Sequence, residues 1–355
     1  MGFDIISDLY LSAVTPLGFV SRSSCLCGSL QRHVFLLKGG TASLRSRLIR
    51  EAADIALTQG FSVKRVLSSL DDGLLEAAFW DGTAVIDSAP PYSIEPTIPS
   101  AMETVVWLDC FDGGLCRSAK ELVETEKLYS DAFEQSRRLL FAADELLKDN
   151  SRTALCCSDT EKITRQAVRT AKKQLRPSKN AALNKYISHR QFSSHDLILP
   201  DRCTLTLIQD INGGCRRLYL KTLLEQAVRC GCSADVFYSP CAPFSDIDML
   251  YFPQQNICFA SELPCLIPDR PADSIINSRR FTDREKLSQH SSRLRQNRKA
   301  AHQLLLRAGQ HFDQVSSFRQ KKEEIYNYFL DIAKFDKIRH TLFDKIFSGS
   351  TVYQR

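Results

Sequence analysis

Two rhythms of apolar and polar positions alternate along this chain. Short apolar runs bounded by turn residues read as strands at 34–37, 61–67, 84–87 and 104–108. Between the first two runs the period becomes helical. Leu48, Ile49 and Ala52 fall on one face there, and Gly60 is the stop. Strands alternating with helices predict an α/β fold with a parallel sheet. Residues 15–18, 21–30 and 68–73 read as turns and loops. From about Ser118 the pattern is helical, with Leu122, Tyr129, Phe133, Leu139, Leu140, Leu146 and Leu147 near helical spacing. It runs to Leu175, where Arg176-Pro177-Ser178 breaks it.

The second half restates the first at an offset of about 170 to 175 residues. Phe192-Ser193-Ser194 answers Tyr10-Leu11-Ser12 at the slightly longer offset of 182. The run 204–208 answers the first strand, and Asn212-Gly213-Gly214 its glycine turn. A helix with Leu218, Leu223, Leu224 and Ala227 follows, and Gly231 answers Gly60. Later runs at 236–238, 249–252, 256–260 and 274–276 keep the same order. A second helical tail carries Leu294, Leu304, Phe312, Phe318, Ile325, Phe335 and Ile338. The division expected is 1–117 and 191–277 as two sheet repeats, with 118–190 a basic helical connector and 278–355 a helical tail.

Candidate chemistry lies at 33–53. An apolar strand meets Gly39 and Gly40, and an amphipathic helix follows. Strand, glycine turn and helix N-terminus form the layout of a phosphate-binding loop, because glycines let backbone N–H groups approach phosphate oxygens. Against G-x-x-x-x-G-K-[ST], Gly39 fills the first position and Ser46 keeps the hydroxyl. Leu44 stands at the second glycine and Arg45 at the lysine. Gly39, Gly40, Ser43, Arg45 and Ser46 are therefore the nucleotide-binding candidates, in worn form. Asp87 ends an apolar strand, where a carboxylate can reach magnesium through water; capping a turn is its other reading. Asp71 and Asp72 are the nearest groups to polarise a water, or else surface turn residues. In the second half Gly213 and Gly214 are the remnant. With Gly214 in the first glycine position, Tyr219 and Leu220 fill the phosphate space and Ala260 replaces the acidic strand end. No phosphate is expected there.

Charge adds one feature. Between Ser151 and Arg190 stand ten Lys/Arg against Asp159 and Glu161, a surplus of eight that exceeds the chain's net +6. The helix at 162–179 could neutralise nucleic-acid phosphates or simply be a solvated face. Aromatics are nearly absent from it, which argues against a single-strand stacking platform. Thirteen scattered cysteines give no zinc-site spacing and read as reduced thiols. The seven histidines form no catalytic set. No apolar run is long enough to span a membrane, and residues 1–16 lack the pattern of a signal peptide. A cytoplasmic location is expected.

The layout resembles a family of bacterial two-repeat P-loop ATPases over nearly its full length. In that family each half carries a phosphate loop and a helical tail, and the first loop reads like KGGPGTGKS. Lys38-Gly39-Gly40 and Ser46 match it. The opening 10–19 and the stretch 84–90 look like the family's entry segment and acidic strand end. The resemblance implies an α/β fold of two P-loop NTPase-like parallel-sheet repeats, each followed by long helices. Both lysines and both second glycines are missing here. The function expected is thus a degenerate, non-hydrolysing binding or regulatory protein with no cofactor. Weak Mg-ATP binding or ATPase activity at the first repeat is the alternative, and nucleic-acid binding through the basic helix the second. An unidentified protein partner is expected on the helical segments, and no membrane.

Overall fold

The run HVFLLK is buried on both faces, as a strand covered by helices must be. In the computed structural model it is the fourth of fourteen strands among the described residues, which are 8–27, 33–98, 101–192, 203–262 and 271–348. Ser193, Ser194 and residues 1–7 of the expectations above lie outside these. In chain order the first half comprises β1 (Asp8–Tyr10), a ribbon of β2 (Ser12–Thr15) and β3 (Gly18–Ser21), β4 (His33–Lys38), α1 (Ala42–Thr58), β5 (Lys64–Leu67), β6 (Leu75–Trp80), β7 (Thr83–Asp87), β8 (Met102–Val106), α2 (Ala119–Cys156) and α3 (Thr160–Gln174). The second comprises β9 (Leu183–Ile187), β10 (Thr204–Gln209), α4 (Gly214–Arg229), β11 (Ala234–Tyr238), β12 (Ile247–Phe252), β13 (Ile257–Ser261), β14 (Ser274–Asn277), α5 (Arg284–Gln289), α6 (Ser291–Tyr328) and α7 (Ile332–Ser348).

The fold is mixed α/β, and its two halves share a topology. In the first, strands lie in the order β1-β5-β6-β7-β4-β8; in the second, β9-β11-β12-β13-β10-β14. Directions match strand for strand. β6 runs antiparallel to β5 and β7, and β12 antiparallel to β11 and β13, while the remaining pairs within each set are parallel. This corrects the purely parallel sheet. The links β5–β6 and β6–β7 are too short for a crossover helix, so those strands must turn back as hairpins.

Two compact units emerge, and neither follows the linear division. One unites Ser7–Ser12, Ser21–Glu134 and His311–Arg355; the other unites Ala13–Val20 and Gln135–Gln310. The tail helix α7 thus belongs with the first sheet. Its Phe335, Leu342 and Ile346 share a core with Phe35, Leu48 and Val85. Helix α3 belongs with the second sheet, where Ile163, Ala167 and Ala171 pack with Tyr219, Leu220 and Leu223 of α4. Three apolar residues at helical spacing on α3 predict burial, but the partner that buries them lies about fifty residues on.

Two further boundaries move. The helical run 118–175 divides at Asp159, whose carboxylate caps α3 through the Lys162 N–H at 2.8 Å. Residues 183–187 of the expected connector form β9, the first strand of the second set. Among the described residues every cysteine is a free thiol, no His/Cys/Asp/Glu group could hold a metal, and no helix is long and apolar enough to cross a membrane.

Candidate functional site

The glycine turn after β4 is three residues long. Gly39 and Gly40 take φ of 80° and 63°, which only glycine adopts cheaply. Thr41 then caps α1 by accepting the Leu44 N–H at 3.3 Å. No glycine follows, so nothing favours a wrapped loop and the helix starts at Ala42. Ser43, Leu44, Arg45 and Ser46 stand in its first turns.

Their polar groups are engaged within the protein. The Arg45 guanidinium donates through Nε to Asp87 Oδ1 at 2.8 Å, and through Nη1 to the carbonyls of Gly39 and Gly40 at 2.7 and 2.8 Å. Both side chains are buried, 5% and 3% exposed. Burial pushes the Asp87 carboxyl above its ordinary value and Arg45 opposes the shift. Asp87 also accepts the Ala89 N–H at 2.9 Å. The Ser46 hydroxyl accepts the Leu75 N–H at 2.8 Å. Glu323 on α6 takes the Ser43 N–H at 3.0 Å, so a carboxylate of the chain itself answers the positive end of α1. Leu44, Trp107, Phe111, Leu330 and Phe335 close over the glycines and leave no cavity for a water. Asp71 forms an ion pair with Arg319 at 2.8 Å.

Glu76 was not legible as a site residue. It lies where the β5–β6 register slips, and such a bulge turns a side chain off the regular alternation. Its carboxylate is buried and accepts the hydroxyls of Ser12 and Ser23. No cation pairs with it among the described residues. Burial pushes its pKa from 4.5 to about 7, against those two hydrogen bonds. A raised folded value means the stability linked to this group is fully present below about 4.5 and lost as pH rises through about 7. Glu76→Gln keeps the shape without the charge. It is expected to stabilise the protein by about 1–3 kcal/mol at pH 8 and negligibly at pH 4. Urea midpoints at the two pH values check this.

The second half uses the same positions with different chemistry. Strand pairing aligns Leu37 and Asp87 of the first half with Ile208 and Ser261 of the second. Counting on from these, Arg216 rather than Leu220 answers Arg45, and Ser261 rather than Ala260 answers Asp87. Arg216 is buried like Arg45, but its partner has moved to the neighbouring strand. Nη1 reaches Asp248 Oδ1 at 3.1 Å, and Nη2 lies 3.5 Å from Asp246. Asp248 sits at the β12 register slip, the position of Glu76. Burial pushes it up to about 6, with Arg216 opposing. Ser188 donates to Asp248 at 2.7 Å and lies 2.8 Å from His189 Nδ1. Serine, histidine and aspartate therefore meet, but the serine proton is committed to Asp248, and burial pushes His189 down to about 4.

Gly213 takes φ 82° and heads α4 with no side-chain cap. Gly214 serves packing, since a Cβ there would lie 2.5 Å from the Ser151 carbonyl oxygen of α2. Outside this turn, at the carboxyl ends of β10, β13 and β14, opens a cleft of about 800 Å³. The open space in the second half and the filled space in the first are the reverse of what the loop sequences suggest. No family model, no curated protein and no solved structure matches the chain.

Proposed function

We infer that this chain is a non-hydrolysing binding protein, built on two P-loop NTPase-like repeats whose phosphate chemistry has been replaced by internal partners. One observation carries the reading. Arg45, Asp87 and the Gly39-Gly40 carbonyls satisfy one another in a buried cluster with no space beside it. An arginine locked in this way cannot fold over a β or γ phosphate, and an aspartate held by it cannot orient magnesium water. Partners on the helical surfaces belong to the same reading. With Mg-ATP at millimolar concentration, phosphate release is expected to stay at the background of ATP alone. Release that scales with protein concentration and disappears in Ser46→Ala would overturn it.

A second reading, nucleic-acid binding, is favoured by the surface of α3. Lys162, Arg165, Arg169, Lys172 and Lys173 are all exposed along one stripe of α3, and Arg176 is exposed just beyond its end. No ion pair involves them among the described residues. At 1.5 Å per residue the stripe is about 20 Å long, enough for several backbone phosphates. Fluorescence anisotropy on a duplex across a salt series checks it. Reversing Arg165, Arg169 and Lys172 to Glu is expected to flatten the slope of log K against log salt by about 3. An unchanged slope would remove this reading.

A further inference from the structure

The cleft beside α4 is built for an anion. Three arginines line it from three different elements: Arg279 from the turn after β14, Arg284 from the start of α5 and Arg298 from α6. No carboxylate pairs with any of them among the described residues. Among the described residues Arg298 donates only to the Asn212 side chain, at 3.3 Å, and its buried Nε has no hydrogen-bond partner. Unpaired guanidinium groups converging on one concavity leave repulsion that a bound anion would relieve.

Two carboxylates also face the space. Asp210 is already engaged, accepting the Asn212 N–H of its own loop at 3.3 Å and the Arg216 N–H in the first turn of α4 at 3.0 Å. Glu262 is exposed at the rim. α4 begins at Gly213, whose lack of a side chain leaves the Asp210 carboxylate to answer the first turn of the helix, much as Glu323 answers α1.

The rest of the lining narrows the ligand. A volume of about 800 Å³ suits a small molecule. Among the described residues no aromatic ring lines the cleft, so none of them would stack on a nucleobase. Amides and hydroxyls are the most numerous lining groups, among them Gln209, Asn277, Thr282 and Ser288, beside the apolar Ile211 and Leu287. With Glu262 as an acceptor, these are groups that hydrogen-bond a polyhydroxyl body. We propose that the second-half cleft binds a phosphorylated polyhydroxyl small molecule of the sugar-phosphate class, its phosphate held by Arg279, Arg284 and Arg298.

Isothermal titration of the full chain with ribose 5-phosphate, ribose, inorganic phosphate and ATP tests this, at about 0.15 M chloride to screen weak attraction. Ribose 5-phosphate is expected to bind more tightly than inorganic phosphate, and ribose to show no binding. Arg284→Ala combined with Arg298→Gln is expected to weaken ribose 5-phosphate about tenfold or more. Should Arg298→Gln impair folding, Arg279→Ala with Arg284→Ala alters only exposed side chains and is expected to give the same loss. Absence of ribose 5-phosphate binding at about 10 mM overturns the site. Binding that survives both double variants overturns it as well, and ATP binding tenfold tighter than ribose 5-phosphate overturns the ligand class.

Discussion

Asp87→Ala is expected to lower the unfolding free energy by about 3–5 kcal/mol, read as a fall in the urea midpoint. Arg45 would keep the two glycine carbonyls but lose its counterion while remaining buried, and the Ala89 N–H would lose its acceptor. Such a loss exceeds the worth of the pair itself, because an uncompensated charge is left in the interior. Arg45→Met together with Asp87→Leu is therefore expected to recover most of the stability. The sign of the single variant is informative about function. Carboxylates kept for catalysis are commonly held at a cost to stability, so removing them often stabilises. If Asp87→Ala raised the midpoint, Asp87 would be a strained functional group, and the self-satisfied first repeat would have to be abandoned.

Arg216→Met is expected to have a comparable effect in the second half, about 3–5 kcal/mol at pH 8. Arg217 still reaches Asp246 at 2.8 Å, so the loss falls chiefly on Asp248, which keeps only its bond from Ser188. The sign of the pH dependence follows. Asp248 already titrates near 6 in the folded protein, above its ordinary 3.8, so the stability linked to it is present at low pH and is lost as pH rises through about 6. Without Arg216 the folded value rises further. The deficit of the variant should shrink as pH falls and the carboxyl protonates. Urea midpoints of the variant and the parent at pH 5 and pH 8 test this; a deficit independent of pH would mean that packing, not charge, dominates the position.

The two arginines together explain how one framework tolerates two charge arrangements. Each occupies the first turn of the helix after the glycine turn, and each needs one buried carboxylate within reach. The end of β7 supplies it in the first half as Asp87. The register slip of β12 supplies it in the second as Asp248, where Ser261 has taken the strand end. Glu76 remains at the first-half slip, where burial pushes its carboxyl to about 7 and no cation among the described residues opposes the shift.

By itself the sequence determined the alternation of strands and helices, the recurrence of the same elements after about 170 to 175 residues, and the turn at Gly39-Gly40. Each of these depends on local periodicity or on a backbone angle that glycine alone takes without strain. It also showed that the phosphate-loop lysine was absent. Only the tertiary structure decided the rest. Strand direction depends on which strands meet, so the reversal of β6 and β12 was invisible to a pattern that reads apolar runs alike in either sense. The assignment of α3 and α7 to the sheet of the other half rests on contacts far apart in sequence. Arg45 could as well have faced a phosphate. Its burial on Asp87, the arrival of Glu323 at the α1 terminus and the convergence of Arg279, Arg284 and Arg298 are all matters of three-dimensional approach, and a linear order of residues carries no distance between them.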